Sequence, residues 1–499
     1  MTLLELLFRQ RENNKIAIKY GNENISYKEW YTKSTELGKY ILQVDRSENI
    51  GIYLPNSINY AVAYFSCLYA NKTIVPLEIQ STASEIAKNI EYCDISYVIT
   101  TQKDKKKIHG LIDILKREVK LILINEFEFS KIANHYLAKE MSKGVLEEDT
   151  AIMLHTSGTT SNPKRVMLTH KNLLSNVTSN IQSLELTSDD VILIALPMYF
   201  GYCNTAQFLT GVFLGCTLVI MREKFIPRVF LNLVEKERVS FFTAVPSMLS
   251  LLLDADEYNN YNFSSLRIVC FGGGMIKKET IRSLIEKFPD VGFIQTYGQT
   301  ECSPRVTMLE KKYELSKIGS IGKPIPGVKV KIVDNNKTVA RGEVGEILVQ
   351  GDNIMKGYYK NKEATDKIKK GGWLHTGDLA YEDEEGFLYL AGRRKNIIIS
   401  NGINIYPEEV EERLKQYPNV REALVVGISD DNRGEVPVAY ILVERESKMD
   451  VTELKKFCMK TLSMYKVPKE IFVVDTLQRT YTGKLKRYTE ESRGEKYAR

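Results

Sequence analysis

The chain has 499 residues, 43% hydrophobic and 26% charged, with a formal net charge of +6. That length exceeds a single hydrophobic core and predicts two or more domains, and the composition is that of an ordinary soluble globular protein. So mild a charge argues against a nucleic-acid surface, the scattered cysteines and isolated histidines show neither CxxC nor HExxH spacing, and no apolar run reaches a membrane span.

The opening segment "MTLLELLFRQRENN" interrupts its apolar residues with Glu, Arg and Gln. It is unlike a secretory signal and predicts a cytoplasmic protein. Through residue 150, helical patterns alternate with short apolar strands such as "NIGIYLP" and "SYVITT", a pattern of α/β layers. The densest basic run, Lys103 with Lys105 to Lys107, lacks interleaved aromatics and reads as a solvated loop. Between 185 and 300 the alternation repeats, with "DVILIALPM" and "LRIVCFGGG" as buried strands and "IRSLIEKF" as an amphipathic helix. From 317 to 391 glycine-punctuated strands predict a small antiparallel β subdomain. A polar joint at Gly392 to Asn396 leads into a compact α+β tail, which ends in the exposed loop "LQRTYTGKLKRY". The predicted division is 1–394 and 395–499.

The densest local signal is "TSGTTSNPK". The apolar residues Ile152, Met153 and Leu154 deliver the backbone into Thr156, Ser157, Gly158, Thr159 and Thr160, with Lys164 shortly after. Hydroxyls can donate to anionic oxygens, glycine permits close approach, and the lysine adds a flexible point charge. The segment suits a cradle for phosphate oxygens. It is not a Walker loop, because Pro163 precedes the lysine and Arg165 follows it.

Four further segments follow in order: "QTYGQTE" (295–301), "WLHTGDLA" (373–380), "GRRKNIIISNGINIYPEEVE" (392–411) and "RTYTGKLKR" (479–487). Together with the phosphate loop they resemble the adenylate-forming superfamily of acyl- and aryl-CoA synthetases, peptide-synthetase adenylation domains and luciferases. The resemblance covers essentially the whole chain. It implies an α/β fold: a large N-terminal domain of layered α/β subdomains plus a small β subdomain, followed by a small mobile α+β C-terminal domain.

It also implies a role for each motif. A carboxylate would attack the α-phosphorus of ATP, so positioning and charge neutralisation should supply nearly all the rate enhancement. Tyr297 would stack on adenine beside Gly298, Thr300 would touch the α-phosphate, and Glu301 would hold Mg²⁺ against the phosphates. Asp378 would hold both ribose hydroxyls and Arg393 would reach the same ribose. Gly272, Gly273 and Gly274 match a segment beside adenine and the acyl group. Lys484 would contact the carboxylate and α-phosphate as they react. Lys395 occupies the hinge position, about which the C-terminal domain would turn after adenylation, bringing Gly402 to the thiol path.

Three departures from the family pattern stand out. Ser161 and Arg165 replace glycines of the phosphate loop, and both changes fit a surface loop. After "ALP" the chain has Tyr199-Phe200, where peptide-synthetase domains tend to have an Asp for the substrate ammonium. An acyl or aryl acid is therefore preferred over an α-amino acid, in a pocket with the apolar candidates Phe200, Val245 and Met275. The expected protein is an acid–thiol ligase using ATP, Mg²⁺ and CoA, as a monomer or homodimer. A carrier-protein phosphopantetheine as acceptor, or a stand-alone adenylation domain, are the alternatives.

Overall fold

The structure is a computed structural model. It describes residues 1–499 except 113–114, 116–117, 128–143, 156–163, 256–257, 259, 275, 402, 431–432, 445–448, 480–484 and 488–499. Among the described residues, two mainly parallel sheets form the N-terminal body. The first has seven strands in the order Gly357–Tyr358, Arg165–Thr169, Thr150–His155, Thr73–Pro76, Asn49–Ile52, Tyr97–Thr100 and Lys120–Leu123. The second has nine, and its parallel centre runs Gly292–Gly298, Ile268–Phe271, Phe241–Ala244, Val191–Ile194, Thr217–Ile220 and Ile16–Tyr20. The central strands are continuous apolar runs, as strands buried on both faces must be. The predicted strands and the helix Lys278–Lys287 therefore lie where the apolar patterns put them.

A third, antiparallel sheet joins Lys337–Thr338, Val328–Asp334, Gly345–Gly351, Trp373–Glu382, Lys369–Lys370 and Leu388–Arg393, matching the predicted β subdomain. Its strand pair Trp373–Glu382 and Leu388–Arg393 sets Asp378 directly opposite Arg393. A fourth sheet, with strands between Ile398 and Val473, has its own apolar core of Ile405, Val410, Leu414, Val425, Ile441 and Leu454. The N-terminal core reaches Leu388 and contributes nothing to it. No helix among the described residues is long and apolar enough to cross a membrane.

The helix His170–Leu184 ties the N-terminal body together. Thr169 caps it, its hydroxyl accepting from the Asn172 N–H while the Asn172 side chain accepts from the Thr169 N–H. Its buried amides then reach distant backbone. Asn172 donates to the Asp352 carbonyl, Asn176 to Arg305 and Asn180 to Ala206. The bonds of Asn176 and Asn180 are buried ones, where an unpaired amide would be costly.

Two expectations are corrected. The basic run at 103–107 lies in the helix Gln102–Ile112 rather than in a loop. Arg165 is not on a surface loop: it opens the strand Arg165–Thr169 and is only 2% exposed. Its Nη1 donates to the carbonyl of Pro76 at 3.3 Å. Cross-strand pairing with His155 sets the direction of its side chain, and nothing in a glycine-replacement pattern reveals that pairing.

Candidate active site

The candidate site draws its residues from three sheets. The strand Gly292–Gly298 carries Tyr297 and Gly298 to its C-terminal end, the position at which parallel α/β sheets present ligand-binding groups. Tyr297 is 8% exposed, and its hydroxyl donates to Asp378 Oδ2 at 2.8 Å. Arg393 Nε lies 2.7 Å from the other oxygen, Oδ1. The three residues assigned to the adenosine half of ATP thus form one bonded unit. Burial, then the neighbouring Asp378 carboxylate, push the Tyr297 phenol well above its ordinary range, so it stays a neutral donor.

Glu301 and Thr300 follow at a 3-10 turn, Thr300–Cys302. Glu301 Oε1 accepts from the Tyr358 hydroxyl at 2.7 Å, and Lys164 Nζ stands 5.0 Å from the centre of the same ring. Tyr358 reaches this point because its short strand Gly357–Tyr358 pairs with the strand that follows the phosphate loop. No sequence motif marks Tyr358, which lies 57 positions from its carboxylate partner. Thr156, Ser157, Gly158, Thr159 and Thr160, with Met275, Gly402 and Lys484, lie outside the described residues.

The glycines are used in different ways. A Cβ on Gly272 would press on the backbone and hydroxyl oxygens of Thr296, so that position must stay bare. Gly273 turns the chain at φ +80°, and Gly274 packs near Pro246, next to the pocket candidate Val245. Phe200 precedes the short helix Gly201–Cys203, its ring edge-on to Tyr199 with centroids 4.9 Å apart. Val245 precedes the helix Pro246–Leu253 and packs against the main core. Phe200 and Val245 are both half-buried.

The joint is held by ion pairs. Glu346, 5% exposed, accepts from Arg394 Nη1 at 2.8 Å and from the Gly377 N–H at 3.0 Å, fixing the 3-10 turn Arg394–Asn396 to the β subdomain. Partial burial first, and then the cations Arg393, Lys164 and Arg487, lower the pKa of Lys395, with Asp378 opposing them. The hinge candidate therefore shares its electrostatic surroundings with the site. Beyond it, Arg479 and Leu485, which flank the sequence segment containing Lys484, form an antiparallel bridge. Arg487, two residues further on, has Nη1 2.7 Å from Glu411 and Nη2 3.2 Å from Glu408, both on the helix Pro407–Lys415.

Known proteins resemble the chain in sequence and in fold. Residues 8–359 match the family described as AMP-binding enzyme, and residues 409–484 match its C-terminal domain. The chain is 31% identical over 479 residues to a 2-succinylbenzoate–CoA ligase of Bacillus cytotoxicus, covering 95% of both chains. It is 30% identical over 485 residues to 4-coumarate–CoA ligase 1 of Narcissus pseudonarcissus, covering 94% of this chain and 88% of that one. Its fold matches the o-succinylbenzoate CoA synthetase (MenE) of Bacillus subtilis, solved with the acyl-adenylate intermediate OSB-AMP, with a TM-score of 0.86 at 30% identity; the match covers 97% of this chain and 96% of that one. The chain belongs to the adenylate-forming AMP-binding enzyme family, with a large N-terminal domain and a smaller C-terminal one.

Proposed function

We infer that this chain is an AMP-forming acid–CoA ligase. In the first half-reaction a carboxylate oxygen attacks the α-phosphorus of ATP, and the bond to pyrophosphate breaks with its electrons on the leaving group. In the second, the CoA thiol attacks the acyl carbonyl, expelling AMP and releasing a proton. The observation that carries this reading is the bonded unit of Tyr297, Asp378 and Arg393, set beside the group of Glu301, Tyr358 and Lys164. Names of relatives that span nearly the whole chain point the same way.

Each residue has a chemical task that fits its surroundings. Asp378 uses one lone pair of each oxygen for Arg393 and Tyr297, which leaves one on each for the two ribose hydroxyls. Lys164 supplies positive charge toward the phosphates, and Lys484 supplies it at the reacting centre. The carboxylate of Glu301 has one oxygen bonded to Tyr358, and among the described residues Oε2 accepts no hydrogen bond. A single carboxylate completed by phosphate oxygens is the usual donor set for Mg²⁺ in nucleotide sites, so Glu301 fits that ion. When bound, Mg²⁺ would neutralise charge on the phosphates.

The finer assignments follow the same reading. The reading holds for a monomer or a homodimer. The division at 394 and 395 falls between the two family matches, and a turn about Lys395 would exchange Lys484 for the Gly402 face. CoA is the favoured acceptor and the cytoplasm the compartment.

The test is ATP–pyrophosphate exchange with a panel of carboxylic acids, alongside AMP release with CoA or with a phosphopantetheinyl carrier protein. Acid-dependent exchange and CoA-dependent AMP release are expected. Exchange driven only by amino acids, or none at all, overturns the reading. The metal assignment has its own test, a Mg²⁺ titration of adenylation. Glu301→Gln should raise the Mg²⁺ concentration needed for half-maximal rate, and an unchanged midpoint removes Glu301 from the metal site.

A further inference from the structure

Arg305 opens the strand Arg305–Met308 and is among the most completely buried side chains of the protein, at 2% exposure. A guanidinium remains charged under all ordinary conditions, and a buried charge requires a partner of opposite sign. Yet among the described residues no carboxylate pairs with Arg305. Its Nη1 donates to the side-chain oxygen of Asn180, whose own amide nitrogen is fixed by the Ala206 carbonyl and the Thr210 hydroxyl. Nε and Nη2 donate no well-formed hydrogen bond. Its other polar neighbours, the Tyr202 phenol and the Cys270 thiol, are neutral. Burial first pushes the Tyr202 phenol up to about 12, so it brings no negative charge.

The two groups that lack a well-formed partner are not arbitrary. Nε and Nη2 form one edge of the guanidinium, the side-on fork that accepts the two oxygens of a carboxylate. The edge is also held still, because Asn176 donates to the Arg305 carbonyl at 2.7 Å and accepts from its N–H at 3.3 Å. Thr243, in register with Cys270 on the neighbouring strand, is a second buried donor there, its hydroxyl without a partner.

The location is the acyl side of the site. Tyr202 lies two residues beyond Phe200 and bonds to the Thr296 hydroxyl at 3.1 Å; Thr296 in turn underlies Gly272. Cys270 lies two residues before Gly272 on the strand Ile268–Phe271 and its extension.

We propose that Arg305 is a specificity-determining residue that selects an acid carrying a second carboxylate, bound side-on by Nε and Nη2. The proposal rests on the ligase reading and adds the class of acid to it. The wholly apolar pocket suggested by Phe200, Val245 and Met275 becomes a pocket with a charged end.

The test compares length-matched acids in ATP–pyrophosphate exchange with the full chain, adipate against hexanoate and phthalate against 2-methylbenzoate. The parent should favour the dicarboxylate of at least one pair. Arg305→Met should lower kcat/KM for that acid by roughly 10²-fold, through a raised KM for the acid with the KM for ATP unchanged. Arg305→Lys keeps the charge but loses the fork, and should fall between parent and Arg305→Met. It serves as the test if Arg305→Met fails to fold. A parent that prefers the monocarboxylates, or an acid preference unchanged by either folded variant, overturns the proposal while leaving the ligase reading intact. A parent that exchanges with no acid overturns both.

Discussion

Lys484→Ala should lose roughly 10²–10³ in the rate of acyl-AMP formation, the scale expected for one cation that acts chiefly on the transition state. Thioester formation from supplied acyl-AMP should be nearly unchanged. The separation follows from the proposed two-position cycle, in which the segment between Arg479 and Leu485 delivers Lys484 for adenylation alone. Arg487, three residues beyond Lys484 in sequence, pairs with Glu408 and Glu411 on the helix Pro407–Lys415, so the chain just past the lysine belongs to the C-terminal domain. Pyrophosphate exchange and single-turnover transfer to CoA, measured on the same preparation, decide the matter. Equal losses in both halves, in a folded protein, would remove Lys484 from its assigned role.

Gly298→Ala should damage both stability and adenylation, although it adds only one methyl group. A Cβ at this position would overlap the carbonyl of Pro304, which already accepts from the Gln299 N–H at 2.9 Å. The strands Gly292–Gly298 and Arg305–Met308 pair Gly298 with Arg305, so no side chain has to move aside; the backbone itself must yield. Overpacking of this kind costs about 1–3 kcal/mol or more. The displaced segment carries Tyr297, Thr300 and Glu301, and misplacing catalytic groups by an ångström lowers rates by roughly 10²-fold. Thermal unfolding and pyrophosphate exchange check the two halves of this expectation. A variant with the parental midpoint and rate would show that the chain reversal relaxes freely.

Much of this protein was legible in its sequence because the relevant information is local. Phosphate binding needs hydroxyls, glycine and a lysine within a few positions, and strand texture changes audibly where the parallel sheets give way to the β subdomain. Five motif segments in order therefore identified the family and the order of its layers, and nominated the acidic and basic residues of the candidate site. Asp378 and Arg393 could be named together, since both belong to local motifs, and the two residues that the strand pair joins lie only 15 positions apart.

Tertiary structure alone decided what depends on contacts between distant segments. Arg165 looked like a surface substitution, and became a buried cation only because pairing with the strand Thr150–His155 turns it inward toward the Pro76 carbonyl. Tyr358 has no motif around it, and a short strand pairing brings it to Glu301 across 57 positions. Arg305 sits four residues beyond a recognised motif, yet its meaning lies in an amide partner 125 positions away and in the absence of a described carboxylate beside it. Charge and side-chain type are properties of a residue, whereas burial and partnership are properties of the fold, and at Arg305 only the fold turns an ordinary arginine into a buried, half-satisfied cation.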